Sequence, residues 1–267
     1  MTVLEKIKII VKTLKARATN KIEAPIFIIG TGRCGSDLMV DVLETNPGIQ
    51  IDKNEQYDWF LPALFGGKER SPMLSDLINY RLTAKESLKQ WTAYYRFKLK
   101  LIIENKINAN NKVFILKSPA ITFLLDEIDK MFPDAKYIHL YRNGFSVSKS
   151  WCTKEYPRVK AYQDAFSEED FLFKCAEYYN DSIIEISNFL TKIGKDRQHS
   201  ISYEDFCENP KGELSKILQF VNVNQQCTFD LSKIVSTNHK VNNLNPDIKL
   251  KLNGIMSKSL TVLGYKL

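Results

Sequence analysis

Residues 25–38 read PIFIIGTGRCGSDL, which is a short apolar run, a glycine-rich turn and the polar start of a helix. The apolar run, Ile26-Phe-Ile-Ile29, has the length and composition of a buried strand. The turn contains Gly30, Gly32 and Gly35, so its backbone can bend sharply and approach a ligand closely. Backbone amides at the start of a helix attract anions. The segment therefore predicts a strand, a phosphate-binding loop and a helix.

Three more apolar runs with β-type composition occur downstream, and each precedes a helix start signal. They are Lys112-Val-Phe-Ile-Leu116, Tyr137-Ile-His-Leu-Tyr141 and His199-Ser-Ile-Ser-Tyr203. Strands that alternate with helical segments are typical of a parallel sheet covered on both faces. We therefore expect an α/β fold with a central parallel sheet and helices on both faces. No linker or internal repeat interrupts the chain, so we predict one domain over 25–267.

Capping residues predict where helices begin between and after these strands. Thr83 with Glu86 precedes a predicted helix over roughly 84–107, and Ser167 with Asp170 precedes one over roughly 168–193. Ser118-Pro119 precedes a helix that ends ahead of Pro133, and Asn209-Pro210 precedes another. We interpret the two long helices as additions to the sheet core.

The first 24 residues form a basic amphipathic segment. Leu4, Ile7 and Val11 share one face of a helix, and lysines occupy much of the remainder. Such a segment suits a weak peripheral membrane contact through 1–20. Lysines interrupt its apolar run, so we expect no secretory signal. The sequence also has no run of about 18 apolar residues, so we expect no transmembrane segment.

The charge and the cysteines indicate the kind of ligand and the compartment. The formal net charge is +7, which suits an anionic partner. The lysines are scattered without a basic block, so a small anionic ligand is favoured over nucleic acid. The five cysteines include no CxxC pair, so neither a disulfide framework nor a zinc site is indicated. We expect a reducing, cytoplasmic compartment.

The glycine loop fits more than one class of nucleotide ligand. A Walker A loop requires lysine and then serine or threonine after its last glycine, but Ser36 and Asp37 occupy those positions, which disfavours a kinase or NTPase. The three glycines also match the dinucleotide fingerprint G-x-G-x-x-G. Asp52 follows a second short apolar run, 49–51, near the position of a ribose-binding acid. A nicotinamide-dinucleotide-dependent oxidoreductase therefore stays open as an alternative.

Basic residues follow three of the predicted strands. Arg33 comes after the first, Lys117 after the second and Arg142 after the third. The carboxyl ends of the strands form the ligand crevice of an open parallel sheet. Three cations at that edge predict a ligand with several phosphate-like charges.

These residues, in this order, resemble the sulfotransferase family that uses 3′-phosphoadenosine-5′-phosphosulfate (PAPS). The resemblance extends from about Pro25 to Tyr265 and consists of five motifs. The motifs lie at 25–36, at 46–60, at 116–119, at 132–151 and at 203–210. The resemblance implies the P-loop-like sulfotransferase fold, PAPS as donor substrate, 3′,5′-adenosine bisphosphate (PAP) as product, and no metal.

The resemblance also implies which residues bind the donor. The residues of the 5′-phosphosulfate loop are Gly32, Arg33, Cys34, Gly35, Ser36 and Asp37. Arg142 and Ser150 would hold the 3′-phosphate, and Ser146 could take the place of Ser150 one turn earlier. Tyr203 would lie near the adenine, although packing in the core is an alternative interpretation.

Two residues carry the chemistry that the resemblance implies. Glu55 is the candidate general base for an acceptor hydroxyl or amine, with Asp52 and Asp58 as its local rivals. Lys117 would neutralise the bridging oxygen of the leaving group. The acceptor is expected to be a small molecule, a glycan or a lipid, and no nucleic acid is expected as a partner.

Two positions depart from the family pattern. Cys34 replaces a usual serine, which is a mild change because such a loop binds mainly through backbone amides. Asp37 replaces a usual hydroxyl residue, and a carboxylate there would repel the 5′-phosphate. We therefore expect Asp37 to point away, to cap the helix or to carry a proton. A catalytically inactive nucleotide-binding module is the second alternative. His139 lies inside an apolar strand and is predicted to be a core residue.

Overall fold

The computed structural model describes residues 24–53, 60, 80–107, 112–153, 164, 166–223, 229–234 and 244–266. The strands are β1 (Ile26–Ile29), β2 (Ile49–Asp52), β3 (Val113–Lys117), β4 (Lys136–Tyr141) and β5 (Gln198–Ser202). The helices are α1 (Ser36–Leu43), α2 (Tyr80–Lys89), α3 (Ala93–Ile107), α4 (Leu125–Met131), α5 (Gly144–Cys152), α6 (Glu168–Leu190), α7 (Tyr203–Glu208), α8 (Pro210–Val221) and α9 (Pro246–Val262).

The five strands form one sheet in the order β2-β3-β1-β4-β5, and every pair is parallel. The first strand therefore lies at the centre, between β3 and β4. In register, Ile28 of β1 lies beside Lys117 of β3 and Ile138 of β4. Because all strands run in one direction, their carboxyl ends meet at a single edge. This confirms the predicted α/β class.

Alternate residues of the strands face two separate apolar layers. Phe27 and Ile29 pack with α3, α4 and α6 on one face. Ile26 and Ile28 pack with α1 and α8 on the other. A sheet buried on both faces requires apolar residues at consecutive positions, which is why the central strand contains four of them in a row.

Helix α6 takes part in two apolar layers. Ile186 and Phe189 pack in the layer under the sheet, whereas Phe171 and Tyr179 pack with α5 and α9 in a third cluster. The prediction that this helix is an addition to the core is therefore wrong. Its N-cap was predicted correctly, since the Ser167 side chain accepts a hydrogen bond from the Asp170 amide at 3.0 Å.

The strand boundaries differ from the prediction by one residue. Strand β3 continues to Lys117, so this lysine is the last residue of the strand. Strand β5 ends at Ser202, whose hydroxyl caps α7 by accepting from the Asp205 amide at 2.9 Å. Tyr203 therefore begins a helix, and its predicted place at the end of a strand is wrong.

Two helix predictions also need correction. The predicted helix over 84–107 is two helices, with a break between Lys89 and Ala93, and the first begins at Tyr80 ahead of the predicted capping box. After Ser118, whose side chain makes no capping bond, a short 3-10 turn precedes α4. The end before Pro133 and the helix that starts at Asn209-Pro210 are as predicted.

His139 is buried in β4, with 2% of its surface exposed. Burial lowers the pKa of its imidazole from 6.5 to about 4. The ring is therefore neutral at neutral pH, and the prediction that His139 is a core residue is confirmed.

We expect His139 to make stability depend on pH. Between pH 6.5 and pH 4 the unfolded imidazole takes up a proton that the buried ring does not. The contribution of His139 to the free energy of unfolding should therefore fall by about 1.4 kcal/mol per pH unit as the pH is lowered through that range. His139→Gln should flatten the dependence, which urea denaturation at several pH values measures. Equal slopes in the two proteins would contradict this assignment.

Candidate functional site

The carboxyl edge of the sheet brings together the side chains that sequence reasoning selected. Arg33 lies in the loop after β1, Lys117 ends β3, Arg142 follows β4 and Tyr203 follows β5. Lys117, Arg142 and Tyr203 are all buried. Two cations are thus held at the edge of a buried sheet, which is costly unless anionic or aromatic groups accompany them.

The loop after β1 turns into α1 through residues with unusual backbone angles. Arg33 has φ 70° and Gly35 has φ 101°, both in the left-handed region. Gly35 is the N-cap residue of α1, and no side chain caps this helix. A Cβ at Gly35 would overlap the ring of Tyr203, so only glycine fits there. The amides at the start of α1 therefore lie directly beside Tyr203.

A second close contact joins the loop to α5. A Cβ at Gly32 would overlap the indole ring of Trp151. The Gly32 amide donates to the Tyr178 hydroxyl at 3.5 Å. The Arg33 Nε donates to the Ser150 Oγ at 3.2 Å. Ser150 lies on the second turn of α5, as the sequence predicts, and the hydrogen bond links the glycine loop to that helix.

The Arg142 side chain is placed by Tyr203. The guanidinium carbon lies 4.2 Å from the centroid of the Tyr203 ring, which is within the range of a cation–π contact. Tyr203 is 3% exposed, so it is both a core residue and the platform for Arg142. The interpretation of Tyr203 as a core residue is therefore confirmed, and its place near the adenine stays a prediction.

The peptide bond between Arg142 and Asn143 is held on both sides. Its carbonyl accepts from the Tyr179 hydroxyl at 2.9 Å, and its N–H donates to Glu204 Oε1 at 3.1 Å. The Tyr265 hydroxyl donates to Glu204 Oε2 at 2.8 Å. Burial raises the pKa of Tyr179 and of Tyr265, so both hydroxyls keep their protons. The backbone of Arg142 is thus fixed by side chains of α6 and α7, and Tyr265 after α9 holds the Glu204 carboxylate in place.

Sequence reasoning missed these three bracing residues. Glu204 had a signal, because it is the acidic residue directly after Tyr203 in the 203–210 motif. Tyr179 and Tyr265 had none, since they lie 37 and 61 residues from their partners in the chain.

Lys117 forms an ion pair with Asp37 of α1. The lysine side chain is 6% exposed and the aspartate side chain 72% exposed. Capping the helix was one of the roles that the sequence left open for Asp37, and no side chain caps α1. The Asp37 carboxylate instead points to Lys117 at the end of the neighbouring strand.

Asp52 lies at the same edge but does not match a ribose-binding acid. Its carboxylate forms an ion pair with Lys106 of α3. Strand β2 pairs with β3 and not with β1, so β3 separates Asp52 from the glycine loop. In the dinucleotide-binding fold the acid-bearing second strand lies next to the first. The strand order therefore disfavours the oxidoreductase alternative.

Three candidate positions fall outside the described residues. They are Glu55, Asp58 and the N-terminal segment 1–23. Two loop residues remain: Ser36 is buried at the start of α1, and Cys34 is fully buried. Burial raises the pKa of the Cys34 thiol to about 11. The thiol is therefore uncharged at neutral pH and does not repel an anion at the loop.

Comparisons of sequence agree with this geometry. Residues 25–226 match the sulfotransferase family. The omega-hydroxy-beta-dihydromenaquinone-9 sulfotransferase Stf3 of Mycobacterium tuberculosis is 25% identical over 154 residues, which cover 56% of this chain and 38% of that protein. The Mycobacterium bovis protein of the same name matches equally. The match spans well under half the length of these relatives.

Comparisons of structure show the same fold. The sulfotransferase from Alicyclobacillus acidocaldarius has a TM-score of 0.61 at 15% identity, over 92% of this chain and 97% of that one. The sulfotransferase domain from the curacin biosynthetic pathway has a TM-score of 0.60 at 19% identity, over 93% and 100%. Mouse sulfotransferase SULT7A1, solved with PAP, has a TM-score of 0.53 at 12% identity, over 93% and 91%. In the part of the chain that the structure describes, each helix is too short or too polar to cross a bilayer.

We expect Glu204→Gln to destabilise the fold by about 1–3 kcal/mol, because one of its two partners, Asn143 N–H or the Tyr265 hydroxyl, would face an amide donor. Urea denaturation measures the change. Glu208→Gln is the matched control, since it removes the same charge from an exposed position of α7 and should change stability by less than about 0.5 kcal/mol. Equal effects of the two substitutions would show that Glu204 does not brace the site.

Proposed function

This chain belongs to the sulfotransferase family, and we propose that it transfers a sulfuryl group from PAPS to an acceptor hydroxyl or amine and releases PAP. The observation that carries the proposal is the gathering of the glycine loop, Lys117 and Arg142 at one edge of the sheet. A donor with anionic groups at the 3′ and 5′ positions of its ribose needs cations at two separated places, and Lys117 and Arg142 at this edge are the proposed ones.

The 5′-phosphosulfate would bind at the loop between β1 and α1. Backbone amides at the start of a helix and the partial positive charge there favour an anion. Arg33 lies in the same loop and adds a full positive charge. Cys34 is buried and neutral, which fits a loop that binds through its backbone.

The 3′-phosphate would bind at Arg142 and α5. The guanidinium can make a bidentate contact with a phosphate while its face remains stacked on Tyr203. Ser146 and Ser150 lie on consecutive turns of α5, and Ser150 is bonded to Arg33. Arg33 thus connects the two proposed phosphate subsites. The adenine would lie close to Tyr203, as in the family pattern.

Lys117 would stabilise the charge that builds on the leaving phosphate as the sulfur–oxygen bond breaks. Its burial strengthens that effect, because the interaction is less screened by water. A sulfuryl group carries less negative charge than a terminal phosphate. Fixed cations can therefore serve in the role that a metal plays in phosphoryl transfer, and we propose that no metal is required.

Glu55 is the proposed general base for the acceptor. This assignment rests on the family pattern alone, since Glu55 lies outside the described residues. Of its rivals, Asp52 is buried and paired with Lys106, which leaves it poorly placed to take a proton from an acceptor. For the acceptor we propose a small molecule, a glycan or a lipid. The mycobacterial relatives are named for an omega-hydroxy menaquinone, which favours a lipid-like alcohol.

The second candidate function is a nucleotide-binding module without activity. The ion pair between Asp37 and Lys117 favours it, because it engages the proposed catalytic lysine. Such a module would bind PAP and show no turnover of PAPS with any acceptor.

We expect PAP to bind far more tightly than AMP, because only PAP has the 3′-phosphate that Arg142 contacts. Loss of such charge-assisted bonds costs on the order of 2–4 kcal/mol, or roughly 30- to 1,000-fold in affinity. Calorimetry with both nucleotides measures the ratio. Arg142→Met should reduce it while leaving AMP affinity within a few-fold of the original. Equal affinities for PAP and AMP in the unaltered protein would remove the main support for the proposal.

We expect Glu55→Gln to leave PAP binding nearly intact and to lower the rate of sulfuryl transfer by roughly a hundredfold or more, because the amide cannot accept the acceptor's proton. The measurement is turnover of PAPS with a panel of alcohols and amines. Asp58→Asn is the matched control from the same segment. Normal turnover by Glu55→Gln would place the base elsewhere, and loss of turnover in Asp58→Asn alone would identify it.

A further inference from the structure

The pairing of Asp37 with Lys117 has a consequence for which ligands the site accepts. We propose that Asp37 lowers the affinity of the 5′-phosphate subsite, because it competes with the 5′-phosphate end of a nucleotide for Lys117. A nucleotide that lacks a 3′-phosphate would then bind weakly. The inference rests on the proposed function and concerns the same site.

The two partners of this ion pair differ in exposure. Lys117 is the last residue of β3 and its side chain is 6% exposed, so its ammonium group is buried at the carboxyl edge of the sheet. The Asp37 side chain is 72% exposed and lies in the first turn of α1. A buried ammonium needs a nearby anion, whereas an exposed carboxylate is solvated by water once it leaves. Asp37 is therefore the partner that can be exchanged.

An anion that reaches Lys117 has to replace Asp37 or share the lysine with it. If it replaces the carboxylate, one ion pair is lost as another forms, so the net gain is small. If it shares the lysine, the two anions repel each other. In either case Asp37 lowers the affinity of the 5′-phosphate subsite.

The 3′-phosphate subsite is built differently. Arg142 is held by the ring of Tyr203, and its peptide is fixed by Tyr179 and Glu204. A phosphate can approach the edge of a guanidinium while its face stays on the ring, so binding there does not require that stacking to be broken. The 3′-phosphate should therefore supply the larger share of affinity, and recognition should depend on it.

The test uses three nucleotides and two aspartates of the same helix, Asp37 and Asp41. Asp37→Asn should tighten binding of PAP and of AMP by about three- to tenfold, the range expected for removing a partly exposed charge that competes for one cation. Adenosine 3′-monophosphate has no 5′-phosphate, so its affinity should not change. Asp41→Asn removes the same charge one turn later, where the carboxylate pairs with Lys53 at 2.8 Å, and should change none of the three affinities.

Each outcome of the calorimetry distinguishes the inference from the proposed function. Unchanged or weaker AMP binding by Asp37→Asn, with PAP still preferred over AMP, would overturn this inference alone. An equal gain for adenosine 3′-monophosphate, or in Asp41→Asn, would mean a general charge effect and would overturn it as well. A wild-type protein with no preference for PAP would overturn the proposed function.

A second substitution tests whether Asp37 acts through the lysine. In a Lys117→Met protein, the further change Asp37→Asn should improve AMP affinity less than it does when the lysine is present. An undiminished gain would show that Asp37 repels the phosphate directly without competing for Lys117. Loss of PAPS turnover in Asp37→Asn with unchanged nucleotide affinity would instead make Asp37 the acceptor's base, and would also overturn the inference.

Discussion

The loop after β1 touches its neighbours through glycine, and the rest of the site is arranged around that contact. At Gly35 the backbone lies against the ring of Tyr203, and at Gly32 it lies against Trp151, with no room for a Cβ at either position. Tyr203 in turn carries the guanidinium of Arg142, and Trp151 follows Ser150 on α5. The distances from the loop to Tyr203 and to α5 are thus set by two contacts that tolerate no added atom. Parallel topology brings the strand ends to one edge, and these two contacts fix how closely the loop approaches Tyr203 and α5.

The three inner strands, β1, β3 and β4, could be predicted because strands buried on both faces are short, continuous apolar runs. The edge strand β5 is partly exposed, and its predicted ends also lie within one residue of the observed ones. The boundary errors have local causes, such as the Ser202 side chain, which starts α7 one residue before the apolar pattern ends. Helix α6 was misjudged for a different reason. Its apolar residues serve two clusters, and a single sequence shows that a helix is apolar without showing how many layers it joins.

The site was predictable to the extent that it follows directly from strand ends. Parallel strands end at one edge, so basic residues after successive strands are brought together by topology alone. Contacts between distant segments were not predictable in this way. Asp37 was recognised as a misfit in the loop, but its partner Lys117 is 80 residues away. The peptide between Arg142 and Asn143 is held by hydrogen bonds to Tyr179 and Glu204. In the sequence, a tyrosine that makes such a bond cannot be distinguished from a tyrosine that only packs in the core.

The two ends of the site differ in how their cations are held, and this difference suits the proposed chemistry. Arg142 is fixed by stacking and through its backbone, which suits a phosphate that takes no part in the reaction and serves only as an anchor. Lys117 is paired with an exposed carboxylate, so its charge is already compensated before a donor arrives. In the proposed transfer, negative charge would accumulate on the leaving phosphate, and the attraction of Lys117 for that phosphate would grow relative to its attraction for Asp37. A cation whose partner can leave contributes most when the charge on the ligand is greatest, which is the condition for stabilising a transition state over a ground state.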